Sequence, residues 1–206
     1  MDITVKILRY NPEKDSQPYF QDFTLKGISE DWRLLDVLHE IKWKHDGTLT
    51  FRRSCAHGIC GSDGMKINGK NRLACSLLLK DINTSKPITI EPLPSLPIIK
   101  DLVVDMSSFF QKYEVIKPYL INKTPPPPNS ERLQSNENAE MLFESAKCIL
   151  CACCTTSCPS TWSNENYLGP AALLKAYRFT FDTRDDAGDE RMDIVDNPDG
   201  IWRCHT

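Results

Sequence analysis

No stretch of this sequence is long and apolar enough to cross a bilayer, which takes about 20 consecutive apolar residues. The chain therefore reads as soluble or peripheral. Its first residues, MDITVKILRY, alternate polar and apolar side chains and lack the continuous apolar stretch of a secretory leader, so they read as a strand. Nor is there a surplus of positive charge. The chain has 25 Lys and Arg against 28 Asp and Glu, a net charge of −3. That balance argues against nucleic acid as a partner, because such domains carry a basic face. Nothing points to an oxidising compartment, where disulfides would persist.

What the chain does have is cysteine: nine, in three places. Cys55, Cys60 and Cys75 make one set, Cys148 to Cys158 a second, and Cys204 stands alone. Clustering of this kind favours metal ligation over disulfides.

The second set organises the chain. With Cys154 as third ligand, the residues Cys148 to Pro159 read C-x2-C-x2-C-x3-C-P. That spacing marks a [4Fe–4S] site whose fourth cysteine serves a different cluster. The reason is reach: three thiolates on one tight turn can hold three corners of a cube. The fourth sits where the chain leaves the turn as a helix and points elsewhere. Cys148, Cys151 and Cys154 are thus expected on a [4Fe–4S] cluster and Cys158 on a second one. A zinc site wants two pairs of ligands, which leaves the third cysteine and the Cys-Pro surplus. Cys153 is the spare, a buried and inert thiol, although spacing does not rank it against Cys154. Cys158 and Cys204 supply too few thiolates for a second cluster. Cys204 therefore reads as the start of another cysteine run, inside which the sequence stops.

The first hundred residues pattern differently. Ile3, Val5 and Ile7 alternate as a half-buried strand, and Tyr19 with Asp22 to Leu25 reads as a second, joined through the polar turn Asn11 to Asp15. Leu34, Val37, Leu38 and Ile41 fall at helical spacing, with Ser29 or Asp31 as candidate cap. Met65 to Lys70 reads as a strand entering an Asn68-Gly69 hairpin turn, and Ile88 to Ile90 as a closing strand. Two strands, a helix and two more strands make a β-grasp pattern.

On that frame sits Cys55-x4-Cys60-x2-Asp63, followed by Cys75. The plant-type [2Fe–2S] spacing is C-x4-C-x2-C…C. Asp63 occupies the third position, either as a carboxylate ligand or as the mark of a site that has lost a ligand. Gly58, Gly61 and Gly64 favour the first, because they let the backbone wrap closely and aim N–H groups inward. His57 reads as an exposed loop residue, since Rieske centres need two histidines. Arg52 and Arg53 are either solvated or offset the cluster's charge.

Pro92 to Pro97 breaks regular structure. Val103, Met106, Phe109, Phe110 and Tyr113 then predict a short amphipathic helix, with Phe109, Phe110 and Trp202 as candidate interface contacts. Thr124 to Asn129 is a stiff polyproline spacer and Ser130 to Glu140 a polar run. Met141 to Lys147 leads helically into the cysteines. Gly169-Pro170 opens a helix whose Leu173, Leu174, Tyr177 and Phe181 share a face. Asp182 to Asp199 reads as an acidic loop.

Together these residues resemble a known family. Phe51-Arg52-Arg53-Ser54-Cys55, Gly58-x-Cys60-Gly61-Ser62-Asp63-Gly64, Asn68-Gly69-Lys70, Lys100 to Met106, the Cys148 to Pro159 run and Arg203-Cys204-His205 resemble the iron–sulfur subunits of bacterial succinate dehydrogenase, respiratory complex II. The likeness covers nearly the whole chain, and an aspartate at position 63 resembles some bacterial members. The resemblance implies an α+β chain: a β-grasp, plant-type ferredoxin domain over 1–105, a helix and Pro-rich connector over 106–138, and an incomplete all-α, bacterial-ferredoxin-like domain over 139–206. It implies electron transfer from the FAD of a flavoprotein subunit, through [2Fe–2S], [4Fe–4S] and [3Fe–4S] clusters, to ubiquinone in the tricarboxylic acid cycle and respiratory chain. Succinate is oxidised on the partner, not on this chain. The [2Fe–2S] ligands would be Cys55, Cys60, Asp63 and Cys75. Cys158 and Cys204 go to the [3Fe–4S] cluster, and the remaining ligands would lie past Thr206. Pro159, Ser160, Trp162 and His205 match the family's quinone region. Ser163 departs from it, because the family usually has a second tryptophan there, nearest the quinone. Trp162 could equally be a core aromatic. Membrane anchor subunits and a place on the cytoplasmic face of the bacterial inner membrane are also implied. The rivals are a fumarate reductase iron–sulfur subunit, which usually keeps cysteine where Asp63 stands, a stand-alone ferredoxin, and a zinc-stabilised module.

Overall fold

The computed structural model describes residues 1–205. The chain divides into two compact units, one of Met1–Met106 with Ile149–Ser157 and one of Ser107–Cys148 with Cys158 onward.

The first unit is built on a mixed sheet. Strand β1 (Ile3–Arg9) pairs antiparallel with β2 (Tyr19–Leu25), in register from Ile3 opposite Leu25 to Arg9 opposite Tyr19. Alternation works as the pattern predicts: Ile3, Val5 and Ile7 are buried and the residues between them are not. Helix α1 (Leu34–Glu40) continues into a π-helical turn over Ile41–His45. Strands β3 (Gly64–Ile67) and β4 (Lys70–Leu73) form a hairpin, and β5 (Ile88–Glu91) runs parallel to β1 and antiparallel to β3. The order across the sheet is β2-β1-β5-β3-β4, so the strand expected to close the sheet lies at its centre. The hairpin turn is Asn68-Gly69, with φ of 48° and 80°, the doubly positive geometry of a type I′ turn.

The stripe Leu34, Val37, Leu38 and Ile41 is wholly buried with the sheet's inner face. Each such side chain contributes about 1.5–3 kcal/mol. The helix cap differs from expectation. Asp36 reaches back to accept the Arg33 N–H at 2.9 Å, while Ser29 closes the preceding turn by accepting from Asp31 and Trp32.

Strands β6 (Ile98–Lys100) and β7 (Val103–Val104) pair antiparallel, so Val103 belongs to a strand and not to the predicted amphipathic helix. The cause is Asp101. Its backbone sits at φ 46°, and its buried carboxylate accepts from Arg9 Nε (3.0 Å), Tyr10 N (3.0 Å) and Thr50 N (2.8 Å). That anchor holds the segment as a turn between extended strands.

The second unit is helical. Helix α2 (Ser107–Val115) buries Phe109, which stacks edge-on against Phe110 at 5.2 Å; Phe109 is therefore core and not an exposed interface contact, whereas Phe110 and Trp202 are exposed. Helix α3 (Asn136–Ala146) begins inside the polar run Ser130 to Glu140, because Ser135 caps it by accepting the Asn138 N–H at 3.3 Å. In the cysteine run α4 (Cys153–Thr156) belongs to the first unit, and α5 (Pro159–Ser163) to the second. Helix α6 (Pro170–Thr180) opens at Gly169-Pro170 as predicted, and α7 (Gly188–Val195) packs on it.

The buried face of α6 is Ala171, Ala172 and Ala176; Ala172 and Ala176 pack with Ile116 and Val195, Leu173 is partly buried against them, and Leu174, Tyr177 and Phe181 are exposed. Alanines let neighbouring helices approach closely, and the bulky residues fall on the flank. The acidic stretch after residue 181 is not a loop. It contains α7, and Asp182 and Asp185 are buried against arginines. Among the described residues no helix is long and apolar enough to cross a membrane.

Candidate metal centres

Between the π-helical turn and β3 the chain forms an irregular loop. Ala56, Gly58 and Gly61 have φ of 58°, 82° and 68°. These left-handed residues turn successive peptide planes so that N–H groups converge. Cys55 Sγ accepts from the N–H groups of His57 (3.5 Å), Ile59 (3.4 Å) and Cys60 (3.3 Å), and Cys60 Sγ accepts from Cys55 N at 3.5 Å. The His57 and Ile59 donors hold the Cys55 thiol down at about 7. His57 itself is exposed, with Nδ1 2.7 Å from Cys55 O. Arg52 donates to Val104 O at 3.2 Å, and both Arg52 and Arg53 are exposed.

Cys75 arrives from the other side, on a 3-10 turn (Ala74–Ser76) after β4, and is buried. Asp63 stands just ahead of β3 at 3% exposure. Its Oδ2 accepts the Cys75 N–H at 2.6 Å, and its Oδ1 is buried with no hydrogen-bond partner. Burial, then the hydrogen bond to Asp63 and the Asp63 charge, push the Cys75 thiol up to about 11. The charge of Cys55 also acts on Cys75. The fold thus pairs Cys55 with Cys60 in one loop and Asp63 with Cys75 across two.

Among the described residues no three His, Cys, Asp or Glu side chains converge on one point, as a single ion would require. A cluster asks for something different, four protein ligands spread around several irons. A buried, unsatisfied carboxylate oxygen beside thiols is costly unless something electropositive meets it. Amide donors aimed at sulfur suit a ligand set that carries negative charge. The residues fit a [2Fe–2S] group.

The second cysteine set shows the same backbone device. Leu150 and Ala152 have φ of 55° and 62°, after which α4 begins. A hydrogen bond from the Cys153 thiol, working against burial, holds the Cys151 thiol at about 6. Cys153 is half-buried, while Cys154 is exposed. Asn71 of β4 donates to Thr156 Oγ1 at 2.9 Å and to Cys153 O at 3.4 Å, tying this turn to the sheet. The contact with the first loop is closer still. A Cβ placed on Gly61 would lie 2.8 Å from Cys151 Cβ and 3.0 Å from Ile149 O. One on Gly64 would lie 3.0 Å from Cys151 O.

In the helical unit Cys148 is half-buried, and burial and then its charge raise Tyr113. Cys158 occupies the N-cap position of α5, with Pro159 following. Buried Ser160 donates to Arg203 O at 3.0 Å, which fastens α5 to the residue before Cys204. Ser163 donates to Ser160 O at 3.1 Å. Trp162 is 58% exposed, which rules out the core-aromatic alternative. His205 and Pro159 are exposed. Tyr167 is buried beside the two cysteines. Burial, then the charge of Cys204 and a hydrogen bond to it, and then the charge of Cys158, push its ionisation upward. Nothing in the sequence marks Tyr167 or Asn71; the one reads as a core aromatic and the other as part of a polar hairpin.

A thiol loop on a β-grasp sheet, with a second cysteine turn against it in the same unit, defines an iron–sulfur electron carrier of ferredoxin construction. A family model for a 2Fe-2S iron-sulfur cluster binding domain matches residues 4–111, and one for a 4Fe-4S dicluster domain matches residues 140–206. The succinate dehydrogenase iron-sulfur subunit of Coxiella burnetii is 48% identical over 206 residues, covering 99% of this chain and 86% of that protein. The mitochondrial succinate dehydrogenase (ubiquinone) iron-sulfur subunit 3 of Arabidopsis thaliana is also 48% identical, covering 97% of this chain and 65% of that one. Among solved structures, a chain of the Mycobacterium smegmatis Sdh1 complex in the apo form matches the fold with a TM-score of 0.79 at 24% identity, covering 93% of this chain and 80% of that chain. The chain belongs to the succinate dehydrogenase iron–sulfur subunit family. These relatives carry the dehydrogenase name, which does not favour the fumarate reductase alternative.

Proposed function

We propose that this chain carries electrons from the FAD of a flavoprotein subunit to ubiquinone, as the iron–sulfur subunit of a succinate:quinone oxidoreductase. Its ligand sets are Cys55, Cys60, Asp63 and Cys75 for [2Fe–2S], Cys148, Cys151 and Cys154 for [4Fe–4S], and Cys158 with Cys204 for [3Fe–4S]. Bound clusters supply one-electron redox chemistry. The protein supplies thiolates, amide donors to sulfur, and burial. Residues 1–105 and 139–206 form the two cluster domains in this reading, joined by 106–138. Pro159, Ser160, Trp162, Ser163 and His205 lie toward the quinone and the membrane anchor subunits, on the cytoplasmic face of the bacterial inner membrane. Exposure of Trp162 supports that part, while Ser163 lacks the ring N–H of the family's usual tryptophan.

The observation that carries the proposal is the Asp63 carboxylate, buried beside Cys75 with one oxygen bonded to Cys75 N and the other unpartnered. A relic site would have lost the need for a buried charge. Asp63→Asn preserves size and the acceptor for Cys75 N–H but removes the anionic ligand. Purified anaerobically in the assembled complex, Asp63→Asn is expected to lose most of the [2Fe–2S] EPR signal and the matching iron and acid-labile sulfide. Asp63→Cys is expected to keep the signal at an altered potential. A full-strength signal from Asp63→Asn would remove aspartate from the ligand set.

A further inference from the structure

We propose that Asn71 is a positioning residue for the [2Fe–2S] site: it fastens the second cysteine turn to β4 and keeps that turn closed over the Asp63 side of the site, away from solvent. The proposal rests on the reading that Cys55, Cys60, Asp63 and Cys75 hold a [2Fe–2S] cluster.

The second cysteine turn is poorly able to hold itself. Its helix, Cys153–Thr156, has four residues. That is too few to be stable alone, because fixing a first helical turn costs more than its hydrogen bond returns. Ties from outside must therefore set where the turn lies.

Asn71 supplies them. It is half-buried in β4, opposite Lys66. Its Nδ2 donates to Thr156 Oγ1 at 2.9 Å and to Cys153 O at 3.4 Å, partners 85 and 82 residues further along the chain. Thr156 is 1% exposed, and its hydroxyl donates in turn to Ala152 O at 2.9 Å. Ala152 is the left-handed residue just before the helix, with φ of 62°. One side chain thus grips both ends of α4 and, through Thr156, the bend that precedes it.

The turn lies against the backbone on either side of Asp63. A Cβ on Gly61 would be 2.8 Å from Cys151 Cβ, and one on Gly64 would be 3.0 Å from Cys151 O and 3.4 Å from Cys153 Sγ. Residues 149–157 belong to the same compact unit as that loop. Asp63 is 3% exposed and Cys75 is buried, whereas Cys60 is exposed. The ligand set is therefore dry at one end and wet at the other.

Reduction adds a negative charge to a cluster, and water stabilises that charge. Solvent exposure is one of the levers that set the potential of such clusters. Loosening the turn admits water at Asp63 and makes the cluster easier to reduce. The other role open to Asn71 is that of a polar hairpin residue, whose loss would leave the potential where it is.

The experiment compares Asn71→Leu, Thr156→Val and Thr156→Ser in the assembled complex, with the [2Fe–2S] EPR signal followed through a redox titration. Leucine and valine add no charge, so they act on the cluster only through the turn. Both are expected to keep the signal and to move its midpoint to more positive potential. The double variant is expected to move it no further than the larger single one, and Thr156→Ser, which keeps the hydroxyl, to match the wild type. Hydrogen exchange on the wild-type complex stands even where a variant fails to assemble. The amides of Gly64 and Cys75 are expected to exchange in step with those of residues 153–157, and roughly tenfold faster in Asn71→Leu, about the worth of one hydrogen bond. A midpoint unmoved at full intensity overturns the proposal and leaves the ligand reading intact. So does a wild type in which residues 153–157 exchange freely while Gly64 and Cys75 stay protected. A wild-type complex with no [2Fe–2S] signal overturns the ligand reading and the proposal with it.

Discussion

Gly61→Ala is expected to disrupt the cysteine turn as well as the loop in which it lies. Two costs combine at this residue. Its φ of +68° is one an L-residue adopts at about 1 kcal/mol or more. Its missing Cβ is the space occupied by Cys151, whose own Cβ would be 2.8 Å away and whose Cα would be 3.0 Å away. Neither is the far end of a flexible side chain, so the Cys151 backbone must move. Overpacking of this kind costs roughly 1–3 kcal/mol. A shift there disturbs the anchor that Asn71 places on Thr156 and on the Cys153 carbonyl. The predicted readout is loss of [4Fe–4S] occupancy in the assembled complex, and slower electron passage between the first and second clusters where occupancy survives. Gly27→Ala is the control. Gly27 has the same φ of +68° with nothing within 4 Å of an added Cβ, so it carries only the conformational cost. Equal cluster content in the two variants would show that the close approach of Gly61 to Cys151 is not what organises the site.

That contact also marks where sequence reasoning ran out. The cysteine spacings announced both candidate sites, because ligand geometry constrains the number of residues between thiolates. The β-grasp sheet was legible for a similar reason: alternation in β1, the helical stripe of α1 and the Asn68-Gly69 turn each depend on near neighbours. What spacing does not encode is approach between segments distant in sequence. Gly61 looked useful for wrapping its own loop, yet its tightest constraint comes from residues 149 and 151. Asn71 acts in the same way, through Cys153 and Thr156 far along the chain. The helical unit was harder still. Hydropathy put Leu173, Leu174, Tyr177 and Phe181 on one face of α6 without marking its alanines, which make the close packing. Charge placed residues 182–199 in solvent, but their arginine partners supply the compensation that allows burial.

Those partners define the second large effect. Arg191→Met is expected to destabilise the helical unit by roughly 3–5 kcal/mol, the cost of stripping one member from a buried pair. The Arg191 side chain has no solvent exposure, and the Asp185 side chain has 1%. Its guanidinium donates to Asp185 Oδ1 at 2.6 Å and Oδ2 at 3.1 Å, and to the carbonyls of Ile116, Lys117 and Tyr119. One planar group thus joins α7 to the chain that follows α2. Lysine has neither the fork nor the reach to serve all of these acceptors, so Arg191→Lys is expected to be intermediate. The pH dependence gives an independent check. Burial alone would raise the Asp185 carboxyl, but Arg191 and the N–H groups of Ile121 and Ala187 hold it below the ordinary carboxylate value. Burial is likewise outweighed at Asp182, where Arg184 and Arg178 hold the carboxyl well down. A depressed folded-state pKa contributes stability that is fully present above the unfolded value, near 4, and is lost as pH falls toward the folded one. The wild type should therefore lose stability as pH drops below about 4, and its advantage over Arg191→Met should shrink across the same range. Denaturant unfolding of both proteins at pH 7 and across that acid range measures this. A gap that stays constant with pH would mean that Arg191 acts through its three carbonyls alone and that its pairing with Asp185 contributes nothing.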